Sequence, residues 1–219
     1  MILALDTVFD QCSIALMNQG LLLDEMTATG SRLQTQQILP MLNSMLTKHN
    51  KIVSDITAIA FNRGPGAFSG IRINTAVAQA LAFAHDLPCL PVSSLQAVAQ
   101  CAYLQHDLEH VYAVLDARMN QVYFAEFILN NHVMSLVGDE ILLDYAKITA
   151  KNLPLVGNGA MLLTPLDGQI CQNVQPTAKI IAMLGRSVQQ QGRAVTAEHA
   201  LPVYLRHNAW KTLAEQGKL

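Results

Sequence analysis

Between Gly64 and Gln105 the chain carries only two formally charged residues, Arg72 and Asp86. Exposed helix faces are normally polar and charged, so such a stretch must be covered on more than one side. The cover is the chain's own sheet and helices, or another protein. Within it, the segment Gly70 to Ala84 reads as a helix with Ile73, Ala76, Val77, Ala80 and Leu81 on one face and Thr75, Ala78, Gln79 and Ala82 on the other. The composition suits a packed core: 51% of residues are hydrophobic and 14% charged, enough apolar surface to offset the entropy of ordering.

Around this stretch the patterning predicts a layered α/β protein. Ile2–Leu5, Cys12–Met17 and Leu21–Met26 read as a strand meander, with turn chemistry at Asn18-Gln19-Gly20. Leu33 to Lys48 reads as a helix, because Ile38, Leu39, Leu42, Met45 and Leu46 recur on one apolar face; Pro40 lies inside it and predicts a kink or an altered first turn. Ser54-Asp55 then opens a strand from Ile56 to Phe61, Ser69 is the expected N-cap of the uncharged helix, Leu90–Val92 is a strand, and Leu95–Leu104 is a helix behind Ser93-Ser94. A second meander follows at Val111–Leu115, Val122–Ile128 and Val133–Val137, then a strand at Leu153–Val156 and a helix from Thr177 to Gln190. The order predicts a pseudo-repeat of two lobes, 1–106 and 107–219, each with a mixed sheet. The second lobe is reduced, and its C-terminal segment is open to returning to the first.

Fourteen basic against sixteen acidic side chains give a net charge of -2, without a basic tail or block. That argues against a chain which grips nucleic acid alone, since such binding rests on clustered Lys and Arg. The first ten residues have no positive n-region and contain two aspartates, no apolar run approaches 18 residues, and four cysteines stand far apart. These features predict a cytosolic chain with reduced thiols, no signal peptide and no membrane span.

The strongest local motif is the loop Gly64-Pro65-Gly66-Ala67-Phe68-Ser69-Gly70, between a strand and a helix. Glycines there allow close backbone approach to an anion, and the flanking Arg63 and Arg72 add positive charge. The pattern is neither a Walker A loop nor GxGxxG, so a purely structural turn is an equal reading. Asp6 ends the first strand where a metal-phosphate carboxylate could sit, or it caps the next turn; Asp116 holds the matching place in the second half. His106-Asp107-Leu108-Glu109-His110 fits the HxxEH pattern of inverted zinc peptidases, which needs both imidazoles on one continuous helix.

Taken together, ILALDT, CSIAL, NRGPGAFSGIR, DARMNQVYFAEF and the late LPVYLR, in that order from Met1 to about Lys211, resemble the TsaB (YeaZ) family of bacterial tRNA threonylcarbamoyladenosine biosynthesis proteins. The resemblance implies an actin/Hsp70/sugar-kinase fold with two related lobes. It also implies a non-catalytic scaffold that binds and stabilises the larger paralogue TsaD, which transfers a threonylcarbamoyl group from its adenylate to A37 of ANN-decoding tRNAs. The TsaE ATPase is the implied third component, a homodimer is implied for the chain alone, and tRNA and ADP or ATP are implied only within the complex. Where TsaD has two metal-binding histidines one helical turn apart, this chain has Ser94 and Val98, and Val98 cannot ligate a metal. Gln34 stands near a position where family members often carry His. The implied partner surface draws on the first two long helices: Thr35, Ile38, Leu42, Met45 and Leu46 from one, Ile71, Asn74, Thr75, Ala78 and Ala82 from the other. Two other readings stay open, a glycoprotease-type metallopeptidase and a small ATPase or kinase using Asp6 and the loop glycines.

Overall fold

A computed structural model describes residues 1–30, 34–145, 153–163, 170–171 and 174–206. Two five-stranded sheets carry the fold. The first comprises β1 (Ile2–Asp6), β2 (Gln11–Asn18), β3 (Leu21–Thr29), β4 (Ala58–Gly64) and β5 (Cys89–Ser93), in the order β3-β2-β1-β4-β5. The second comprises β6 (His110–Arg118), β7 (Gln121–Asn130), β8 (Val133–Asp144), β9 (Leu155–Val156) and β10 (Ile170–Cys171), in the order β10-β9-β6-β7-β8. Each opens with an antiparallel meander and adds two parallel strands to the meander's first strand. The two halves therefore share one topology, as the repeat in the sequence predicts.

Four helices complete the described structure: α1 (Gln34–Lys48), α2 (Phe68–His85), α3 (Ser94–His106) and α4 (Ala178–Gln190). Period-two alternation along β1 decides how they layer. Leu3 and Leu5 point to a core shared with Ile38, Met41, Leu42, Met45 and Leu46 of α1 and Ala78 and Ala82 of α2. Ile2 and Ala4 point the other way, into a core shared with α3 and α4 and extending to Val111, Ala113, Ala125 and Phe127 of the second sheet. So α1 and α2 cover one face of the first sheet, and α3 and α4 the other. After α4 the chain stays on the first lobe, where Val195 bridges Cys89 at the β5 edge.

Local chemistry moves several element boundaries. Ser54-Asp55 lies in a 3-10 turn, Val53–Asp55, ahead of β4. α2 starts at Phe68 with Ala67 as an N-cap that offers no side-chain bond, so Ser69 is not the cap. Ser93 is a true cap: its hydroxyl accepts from the amides of Leu95 (3.1 Å) and Gln96 (3.3 Å). β8 runs seven residues past the expected Val137, and Pro40 stands inside α1. Between β8 and β10 the described residues hold β9 and a short 3-10 turn, Ala160–Leu162, but no α-helix, where the first lobe has α1 and α2. No helix among the described residues is long and apolar enough to cross a membrane.

Candidate functional site

The two lobes meet across a cavity of about 560 Å³. One wall comes from the turn after β1 (Val8, Phe9, Asp10) and the start of α2 (Gly66, Phe68, Arg72), the other from the end of β6 (Asp116, Arg118) with Tyr123 and Asn158; Val203–Arg206 run along it. Arg72 lies 3.5 Å from the Phe68 ring centroid, and its Nε donates to the Tyr204 hydroxyl at 2.8 Å. Cation–π and hydrogen-bond contacts thus hold it in place.

Of the six residues proposed from sequence to meet an anion, only Gly66 and Arg72 line this cavity. Asp6 is fully buried. Its Oδ1 accepts from the Val8 amide (2.9 Å) and the Asn62 side-chain amide (3.2 Å), while Oδ2 has no partner. Burial pushes its carboxyl up to about 7, against the lowering effect of those two donors. Asp116 accepts from the Arg118 amide at 2.7 Å in the same way. Both aspartates cap their own turns, and Asp6 does not reach the cavity.

The glycines serve the chain's own packing. A Cβ at Gly70 would stand 2.3 Å from the Thr7 carbonyl oxygen, and one at Gly66 would stand 2.3 Å from the Val8 side chain. Gly64 has φ +93, in the left-handed region, with Ile71 and the Val203 carbonyl against it. These positions let the start of α2 lie directly on the end of β1, a seam closed by the Thr7 hydroxyl donating to the Gly70 carbonyl at 2.7 Å. Arg63 is drawn off to Glu140 of β8, Nη2 to Oε2 at 3.1 Å.

The helix residues proposed to meet a partner are also placed otherwise. Ile38, Leu42, Met45 and Leu46, with Ile71, Asn74, Thr75, Ala78 and Ala82, are buried within this chain; Thr35 alone of the set is exposed. Asn74 explains the choice of face on α2: its side-chain amide donates to the carbonyls of Leu5 (3.1 Å) and Asn62 (2.9 Å), tying α2 to β1 and β4. Ala78 and Ala82 let the helix lie close on the sheet. The face left outside carries Arg72, Ala76, Ala80, Phe83 and Ala84, with Ile73 and Val77 half-buried, and Phe83 is 73% exposed. On α1 the exposed residues are Thr35, Gln36, Leu39, Pro40, Asn43, Ser44 and Thr47, all uncharged, followed by Lys48 at the helix end.

His106 ends α3 and His110 begins β6, with Asp107 in a left-handed conformation between them (φ 53). The two imidazoles therefore do not share a helix face, and His110 bonds Glu126 across β7 at 2.8 Å. Ser94 donates to Asn62 Oδ1 at 2.6 Å, and Val98 is buried in the core between the sheets. Sequence reasoning assigned no role to Asn62, although it opens the NRGPGAFSGIR segment, nor to Glu140, which stands in no motif. It also missed Tyr204 and Arg206 as site residues, although they stand in the LPVYLR segment.

Two sheets of one topology, joined across a cleft and flanked by helices, define a protein of the actin/Hsp70/sugar-kinase architecture. The family model "TsaD: tRNA N6-adenosine threonylcarbamoyltransferase" matches residues 28–209. The tRNA threonylcarbamoyladenosine biosynthesis protein TsaB of Escherichia coli (strain K12) is 34% identical, with 97% of each chain covered. YeaZ from Pseudomonas aeruginosa superposes with a TM-score of 0.87 at 37% identity, over 93% of this chain and 99% of that one. The tRNA N6-adenosine threonylcarbamoyltransferase of Christiangramia forsetii is 28% identical over 48% of this chain and 35% of its own length. The chain belongs to the TsaB (YeaZ) family within this superfamily.

Proposed function

We propose that this chain serves tRNA threonylcarbamoyladenosine formation as a non-catalytic cytosolic subunit, and that its work is to bind and hold a tRNA N6-adenosine threonylcarbamoyltransferase. The observation that carries the reading is the outer surface of α1 and α2. Across Ala76, Ala80, Phe83 and Ala84 of α2 and Leu39, Asn43 and Thr47 of α1 there is no formal charge, and Phe83 and Leu39 are 73% and 54% exposed. Uncharged small and apolar residues on two neighbouring helices are what a second helical protein packs against, because small side chains allow close approach. The same surface would serve a homodimer of the chain alone, in competition with the transferase. A TsaE-type ATPase, tRNA and ADP or ATP then enter only with the assembled complex.

The non-catalytic part of the reading draws on residues spent in packing: Asp6 is buried beneath the turn it caps, and Ser94 and Val98 are buried at the positions aligned by resemblance with the paralogue's metal ligands. The test is reconstitution. Threonylcarbamoyl transfer to tRNA is measured with the transferase alone, this chain alone, and both, each with the ATPase and the donor adenylate. Transfer that needs both proteins is the expected result; transfer by this chain alone would overturn the assignment.

A further inference from the structure

The polypeptide passes between the lobes at 107–109, where α3 gives way to β6, and again between β10 and α4. Two covalent crossings make a hinge, about which lobes of this architecture could open. Non-covalent ties cross the same cleft, and two of them, from Arg63 and Ser93, meet at Glu140 of β8. The Arg63 guanidinium, at the end of β4, pairs with Glu140 of β8 at 3.1 Å, and Glu140 also accepts from the Ser93 hydroxyl. The Arg63 carbonyl accepts from the Val203 amide at 2.8 Å. From there the segment Val203–Arg206 runs along the cavity. Tyr204 is held by Arg72 of the first lobe, and Arg206 Nη2 donates to the carbonyls of Ala117 (3.0 Å) and Arg118 (3.4 Å) in the second.

We propose that Arg63 and the strap Val203–Arg206 form a latch that fixes the angle between the lobes and holds the cleft shut around its cavity in the free chain. The parts divide the work. Glu140 is only 8% exposed, so its pairing with Arg63 is poorly screened and strongly oriented. The strap gains its hold from being bonded at both ends, to the first lobe through Val203 and Tyr204 and to the second through Arg206. Because Phe68 and Arg72 belong to the first turns of α2, a protein seated on α2 would also meet the strap; that consequence rests on the docking proposed above, whereas the latch does not.

The test uses the full chain without any partner. Spin labels on unnatural amino acids at Asn18, at the end of β2 and off the α1–α2 surface, and Asn130, at the end of β7, report the distance between lobes by pulsed electron resonance. A second pair at Asn18 and Lys51 reports on the first lobe alone. The wild-type chain should give one narrow distance for both pairs. In an Arg63→Met/Arg206→Met variant the pair across the cleft should broaden and gain a longer component, while the pair within the lobe stays unchanged. If that variant does not fold, Glu140→Gln, which removes one charge and little volume, is read in the same way. A cross-cleft distribution identical to wild type in a folded variant would show that the covalent crossings and α3 fix the angle by themselves, and would overturn the latch.

Discussion

Asp6 shows how one buried group can give the whole chain a pH response. Its carboxyl, pushed up to about 7 by burial, keeps its proton in the folded state where an unfolded chain has already released it, near pH 4. The folded form binds the extra proton, so stability from this group is fully present below about pH 4 and is lost as pH rises through about 7. The span between those limits corresponds to at most about 4 kcal/mol. In Asp6→Asn the urea-unfolding free energy should fall less between pH 5 and pH 8 than in wild type; equal slopes would show that Asp6 does not titrate there. Gly70 supplies a second residue-level prediction. A Cβ only 2.3 Å from the Thr7 carbonyl has backbone against it, so Gly70→Ala should cost on the order of 2–3 kcal/mol in the same unfolding experiment. Ser93→Ala removes the cap of α3 and should cost about 1 kcal/mol, with more lost if the bond to Glu140 also matters. The sequence made the close approach of the loop legible, since three glycines ahead of a helix have few other uses. It did not reveal what approaches, because Thr7 and Val8 lie some sixty residues away and offer only backbone and a methyl group.

At the scale of elements, strands were easier to read than faces. Each meander is delimited by turn residues and alternation, and β1 through β3 lie close to where these place them. The burial of α2 was not legible for a definite reason: its two faces differ little in hydropathy. One holds Ile73, Ala76, Val77, Ala80 and Leu81, the other Thr75, Ala78 and Ala82, and the inward side is decided by Asn74 bonding two carbonyls of the sheet. A polar residue therefore selects the core face, against the rule that the more apolar stripe goes inside. Two substitutions two residues apart make this testable. Ala78→Glu would bury an unpaired charge and should destabilise the chain by several kcal/mol, or prevent folding. Ala80→Glu places its charge in water and should leave the thermal midpoint within a degree or two of wild type. A reversed order of the two variants in thermal denaturation would mean that α2 is turned over.

For the molecule as a whole, the repeat was written in the sequence as two strand meanders, each with an aspartate toward the end of its first strand, and both aspartates cap their turns alike. The cavity between the lobes was not, because its lining comes from segments nearly two hundred residues apart that no local pattern links. A net charge of -2 also bears on the assembly: the chain has little means of releasing phosphate counterions, so alone it should bind tRNA no tighter than about 10⁻⁴ M at physiological salt, as a filter assay would report. The docking proposed above seats the transferase on the outer face of α2. The measurement that tests it most directly is calorimetric titration of the transferase with wild type, Ala80→Glu, and Asp139→Ala, an exposed control on the second lobe. Wild-type affinity is expected for the control, and at least a hundredfold loss, about 2.7 kcal/mol, for Ala80→Glu, since the new carboxylate would be buried unpaired in the interface. Wild-type affinity for a folded Ala80→Glu chain would place the partner on another surface.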